Sequence, residues 1–224
     1  MKSPLTLVKA LLAVASVAAL SAVSAAPASA FNFSNIPGGN PVGDAHADSF
    51  GATLTSRADL VFINIYNLGS TLAPNMFIAG VFIEDNNGYL SNPWSSLNDN
   101  VGTVRFSSGS SNAQLPQGGN SFTTKYSFFS DDGDGNARAV QANEKLVLAF
   151  TGSTNLVNSA LNSGEVKIGL HVQGLPMGAS DSYISSNSDN TQDTPEPLTM
   201  LAAGAAVGFG TMFKKQRDQA QKSE

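Results

Sequence analysis

Asp132, Asp134 and Asn136 alternate along Ser130-Asp131-Asp132-Gly133-Asp134-Gly135-Asn136, a stretch with the spacing of metal ligands. Calcium takes roughly six to eight oxygen ligands, several of them carboxylates, and the first half of a calcium loop supplies them from alternate positions. The second half of an EF-hand does not follow. Ala137 stands where that loop needs glycine, and Asn143 where it needs glutamate, with Glu144 one residue late. Two readings stay open: a calcium site completed by a distant loop, or a Gly/Asp turn between two strands, since turns favour the same residues.

Other candidate chemistry is thinner. His46 and His171 are the two histidines, and neither sits at a zinc-binding spacing. The chain has no cysteine, which removes thiolate metal sites, iron–sulfur clusters and cysteine nucleophiles. No Gly-x-Ser-x-Gly elbow accompanies the many serines, and no glycine-rich phosphate loop or dinucleotide fingerprint occurs. Asp59, Glu84, Asp85 and Glu165 are the carboxylates available for a glycosidase-type pair, and each reads more simply as a solvated strand end. Trp94 and Tyr89 offer aromatic faces for a sugar, or a lid over the core edge. No residue is assigned a catalytic role, and the chain reads as a non-enzyme.

The elements that must position these residues are short strands. Leu60–Asn67 and Met76–Ile83 are nearly continuous apolar runs, the second suited to a strand covered on both faces. Thr103–Ser107, Ser121–Phe129 and Lys145–Phe150 are weaker candidates, and Val166, Ile168, Leu170 and Val172 alternate cleanly with polar neighbours. Leu156–Leu161 has helical spacing, and Asp85-Asn86-Asn87-Gly88 is a turn. The pattern predicts an all-β fold, an antiparallel β-sandwich of jelly-roll or immunoglobulin-like kind, over residues 31–179. Residues 31–48 read as an extended entry segment. Residues 180–193, made of Ser, Asn and Asp with little to bury, read as a flexible linker.

Both ends look like targeting segments. Lys2 and Lys9, an apolar run from Ala10 to Val23, and the small-x-small triplet Ala28-Ser29-Ala30 predict a signal peptide over 1–30, cut by signal peptidase after Ala30. At the other end, Pro195-Glu196-Pro197 precedes an apolar segment over 198–213, read as a single transmembrane helix. Lys214, Lys215 and Arg217 follow as a cationic stop that stays on the cytoplasmic side. Residues 218–224 form a polar tail. Between the ends, six Lys and Arg face fourteen Asp and Glu. That balance argues against nucleic acid as a partner, because binding it calls for a basic patch.

The combination over residues 194–217 resembles the PEP-CTERM sorting signal of bacterial surface proteins. The second half of the domain is similar to a group of such proteins known mainly from cyanobacteria. That likeness rests on Asn143-Glu144-Lys145-Leu146, on Ala160 through Gln173, and on Ser180-Asp181-Ser182-Tyr183. The resemblance implies an exported protein, anchored transiently in the inner membrane and processed by an exosortase. Its final address would be the cell surface or extracellular matrix, in a structural or adhesive role with exopolysaccharide as partner. A carbohydrate-active hydrolase, or a calcium-dependent carbohydrate-binding module on a jelly roll, is the alternative.

Overall fold

The computed structural model describes residues 29–186, apart from 97, 111, 112 and 133–135. The signal-peptide region through Ala28, the sorting signal at Pro195, Glu196 and Pro197, the apolar segment 198–213 and the stop at Lys214, Lys215 and Arg217 lie outside the described residues. Among the described residues no helix is long and apolar enough to cross a membrane.

Among the described residues, ten strands and one α-helix, with three short 3-10 helices, make up the domain. They are β1 (Ser29–Asn35), β2 (Phe50–Arg57), β3 (Leu60–Asn67), β4 (Phe77–Asp85), β5 (Ser91–Ser95), β6 (Phe106–Ser108), β7 (Tyr126–Ser130), β8 (Glu144–Thr151), α1 (Thr154–Ser163), β9 (Val166–Leu175) and β10 (Ala179–Ser186). The strands join in one antiparallel sheet in the order β5-β8-β3-β2-β1-β10-β9-β4-β7-β6. The sheet curls so that its two edge strands, β5 and β6, come near each other, and it is barrel-like. The all-β, antiparallel expectation therefore holds. The finer expectation of two stacked sheets does not describe how the strands join, because an unbroken ladder of neighbours links every strand. Curling a twisted sheet is the alternative way to bury one of its faces.

Period-two alternation decides which side chains enter the barrel. Leu54 and Ile63 face each other across β2 and β3, and Ile63 faces Leu148 of β8. On the far side Val81 pairs with Phe128 and Leu170, and Leu170 with Tyr183. These residues belong to one buried cluster, joined by Val157, Ala160 and Leu161 from one face of α1. Each such aliphatic or phenyl side chain contributes about 1.5–3 kcal/mol when fully buried. The helix ends at Gly164, whose φ of 76° is the left-handed conformation that lets its N–H reach back to Leu161.

Two stretches depart from the sequence expectation. The entry segment contains β1, which begins at Ser29, so Ala30 lies within a strand and pairs with Thr53. The linker from residue 180 is in fact β10 as far as Ser186, held between β1 and β9. Its low apolar content misleads because neighbours on both sides complete its backbone hydrogen bonds, and Tyr183 alone carries a large side chain into the core. Residues 121–125 are not strand; they cover the outer face of β4 and β9, with Phe122 and Thr124 buried. That cover explains the continuous apolar run in β4, which is buried along almost its whole length.

Candidate functional site

The outer face of β5, β8, β3 and β2 carries the best candidate. Across it, Trp94 stands opposite Ala149, Ala149 opposite Phe62, and Phe62 opposite Thr55. One row along, Val147 faces Asn64 and Asn64 faces Thr53; next, Lys145 faces Tyr66. The odd-numbered partners in β3, Val61, Ile63 and Ile65, point inward and are fully buried, so Phe62, Asn64 and Tyr66 must point out.

A shallow groove of about 230 Å³ opens here, lined by Arg57, Phe62, Asn64, Asp99 and Lys145 among others. The Arg57 guanidinium lies 5.9 Å from the centre of the Phe62 ring. Asn64 is fixed against β2 by donating its amide to Thr55 Oγ1 at 3.1 Å and to the Thr53 carbonyl at 3.3 Å. Asp99 accepts a hydrogen bond from Ser96 Oγ. Its loop is pinned to β8, because Asn100 Oδ1 accepts the Val147 N–H at 2.7 Å and Val101 exchanges backbone bonds with Lys145. Past Lys145 the depression continues alongside Tyr66, Leu68 and Val101. Leu68 and Val101 are half exposed there.

The charges in this groove are unusual for the molecule. Lys125 pairs with Asp85, Lys167 with Glu84, and Arg138 with Asp132. Among the described residues Arg57, Arg105 and Lys145 have no carboxylate partner, and two of those three line the groove. An aromatic ring, hydroxyls and two unpaired cations, above a floor of buried Asn64 and Val147, form a surface that stacks on a ring and donates hydrogen bonds to oxygens. It suits one unit of a long chain lying across the face.

Of the two aromatic residues singled out in the sequence, Trp94 faces outward on edge strand β5 and is 39% exposed. Tyr89 instead packs against the main core and donates its hydroxyl to Glu165 Oε2 at 2.6 Å. The two rings therefore belong to different surroundings. Phe62, Asn64, Arg57, Asp99 and Lys145 were not singled out from the sequence. The available signal was the alternation in Leu60–Asn67, where an aromatic, an amide and a second aromatic occupy the face opposite three aliphatics.

The candidate carboxylates separate. Glu84 and Asp85 are buried, not solvated strand ends. Asp85 Oδ1 accepts the Gly88 and Tyr89 N–H groups at 2.9 and 3.0 Å, and Oδ2 accepts the Leu90 N–H and Lys125 at 3.0 and 2.9 Å. Burial pushes its carboxyl up, but these hydrogen bonds and the lysine outweigh it, and the net shift is downward. Glu84 accepts from Asn86, from the Thr123 N–H and from Lys167. Asp59 sits on the exposed β2–β3 turn.

The calcium-like stretch is only partly described, since Asp134 lies outside the described residues. Asp132 faces Arg138 at 3.8 Å, and the Asn136 carbonyl accepts from Gln141 Nε2 at 3.0 Å. Among the described residues no group of three or more His, Asp or Glu is gathered for a metal. His46 is buried, and His171 contacts Gln173 on the outer face, opposite Ser182. Burial holds the His171 imidazole below its usual range. Ser182 is fully buried.

No protein-family model matches the chain, and no curated protein and no solved structure matches it.

Proposed function

We propose that the chain is an exported, non-enzymatic surface or matrix protein. Its domain holds polysaccharide across the outer face of β2 and β3 and the groove beside Lys145 of β8, in a structural or adhesive role. The observation that carries this reading is the groove beside Phe62, where Arg57 and Lys145, with no carboxylate partner among the described residues, line the same surface as Asp99 on an otherwise acidic protein. Export and exosortase processing rest on the sequence: Ala28-Ser29-Ala30 at one end, and Pro195-Glu196-Pro197 with Lys214, Lys215 and Arg217 at the other. The non-enzymatic reading is supported by Glu84 and Asp85, whose oxygens are engaged by backbone amides and lysines. Polysaccharide as the occupant agrees with the sorting-signal resemblance and with a groove too open to enclose a small molecule.

Affinity electrophoresis of the full chain through gels containing neutral or acidic polysaccharide tests the binding. Retardation that weakens in Phe62→Ala and Arg57→Ala is the expected result. Unchanged mobility in every gel would contradict it.

A further inference from the structure

We propose that Asp181, Asp44 and Asn35 form a binding site for a hard divalent cation of the calcium class, under segment 36–44 at one end of the barrel. The starting point is a contrast among the buried carboxylates. Asp85 and Glu84 each have a lysine and a full set of hydrogen bonds. Asp181 is 0% exposed and touches no lysine or arginine among the described residues. Its Oδ1 accepts the Ser182 N–H at 2.9 Å and the Asn40 N–H at 3.3 Å, while Oδ2 is buried with no partner. A buried carboxylate with one bare oxygen and no counter-charge is a costly arrangement.

The surroundings supply more oxygen and, among the described residues, no ion pair. Asp181 lies opposite Val172, whose side chain is in the core, so Asp181 points into the barrel. Asn35 lies opposite Tyr183, which also points inward. Asn35 Oδ1 is a second buried oxygen without a partner, while its Nδ2 donates to the Asp44 carboxylate. Burial pushes the Asp181 carboxyl up, the Ser182 and Asn40 amides pull it down, and Asp44 pushes it up further, for a net rise. Gly43, against which the Asp181 carboxylate packs, is followed directly by Asp44, and among the described residues neither acid is paired with a Lys or Arg. The segment above is shaped to come close, since a Cβ at either Gly39 or Gly43 would overlap the Asp181 carboxylate. Carboxylate and amide oxygens are the donors that hard cations select, and calcium completes its shell with backbone carbonyls and water. The cluster has only two acids; its third side-chain donor is an amide.

The test uses the full chain, stripped with EGTA and titrated with calcium chloride. Equilibrium dialysis gives the stoichiometry and thermal unfolding the linked stabilisation. The expected result is one calcium per chain at this site and a rise in Tm of about 5–10 °C near saturation. Asp181→Asn is expected to abolish both, and Asp44→Asn, at the exposed rim, to weaken binding at least about tenfold. Asp132→Asn is expected to leave both intact. A wild-type protein that neither binds calcium nor gains Tm would overturn the site. Calcium binding lost in Asp132→Asn but kept in Asp44→Asn would also overturn it, and that comparison holds even if Asp181→Asn does not fold.

Discussion

Over β4, β9 and β10 the outer face of the barrel is covered by residues 113–125; over β2 and β3 it is partly open, whereas the outward Val147 and Ala149 of β8 are buried. The covered side has its own small apolar cluster of Ile36, Phe82, Leu115 and Phe122, all buried. Gly169 makes room for it, since a Cβ there would lie 2.7 Å from a Leu115 methyl. Glu84 clamps the cover by accepting the Thr123 N–H at 3.1 Å, and Lys167 bridges Glu84 to the Ser121 carbonyl. The open side has Phe62, Tyr66 and Trp94 interspersed with Thr53, Thr55, Asn64, Arg57 and Lys145. The difference follows from composition. A face dominated by bulk apolar groups gains by being covered from within the chain. A face of spaced rings and polar groups has little to gain from a cover, and remains available to a polar ligand with flat apolar patches.

Substitutions on the two faces should therefore separate stability from binding. The largest effect is expected for Phe122→Ala, which removes the main side chain of the cover and should cost about 3–4 kcal/mol in urea unfolding, with retention by polysaccharide unchanged per folded molecule. Glu84→Ala should cost about 1–2 kcal/mol, because the Thr123 N–H and Lys167 lose their acceptor. Hydrogen exchange at the Thr123 amide should accelerate with it. On the open face, Phe62→Ala should weaken polysaccharide binding roughly tenfold, about 1.4 kcal/mol, and shift unfolding by less than about 1 kcal/mol. A Phe62→Ala protein that unfolds easily but binds normally would dissolve the distinction between the faces.

The smallest expected effect concerns acid. The folded Asp85 carboxyl titrates below its unfolded value, so its contribution is present above the unfolded pKa, about 3.9, and is lost as pH falls through the lower folded value. Asp85→Asn should flatten that part of the Tm-against-pH profile. Because Lys125 ends the covering segment, the same substitution should loosen the cover and leave the open face unaffected.

Much of this architecture was legible in the residues. The runs in β3, β4 and β8, the alternation in β9 and the spacing in α1 are direct imprints of burial on one or both faces. β1, β2 and β10 were missed for one physical reason: they lie side by side in the middle of the sheet, where paired neighbours can hold Gly, Ser, Asn and Asp in extended backbone. The two-sheet expectation missed the single sheet because the pairing of β1 with β10 joins the two ends of the domain and merges two halves of the sheet, a contact with no local signal. The open face was half legible. Trp94 stood out by type, whereas Phe62, Asn64, Arg57 and Lys145 come together only through the β2–β3–β8 register. Asp181 was invisible as a special residue because its distinction is the partner it lacks.

Chemical-shift mapping with a soluble oligosaccharide, added to isotope-labelled protein, tests the central claim most directly. The account predicts saturable amide shifts confined to β2, β3 and β8 and the adjoining loop, centred on Thr55, Phe62, Asn64 and Lys145. Shifts confined to β4, β9 and β10, or none with neutral and acidic oligosaccharides alike, would contradict it.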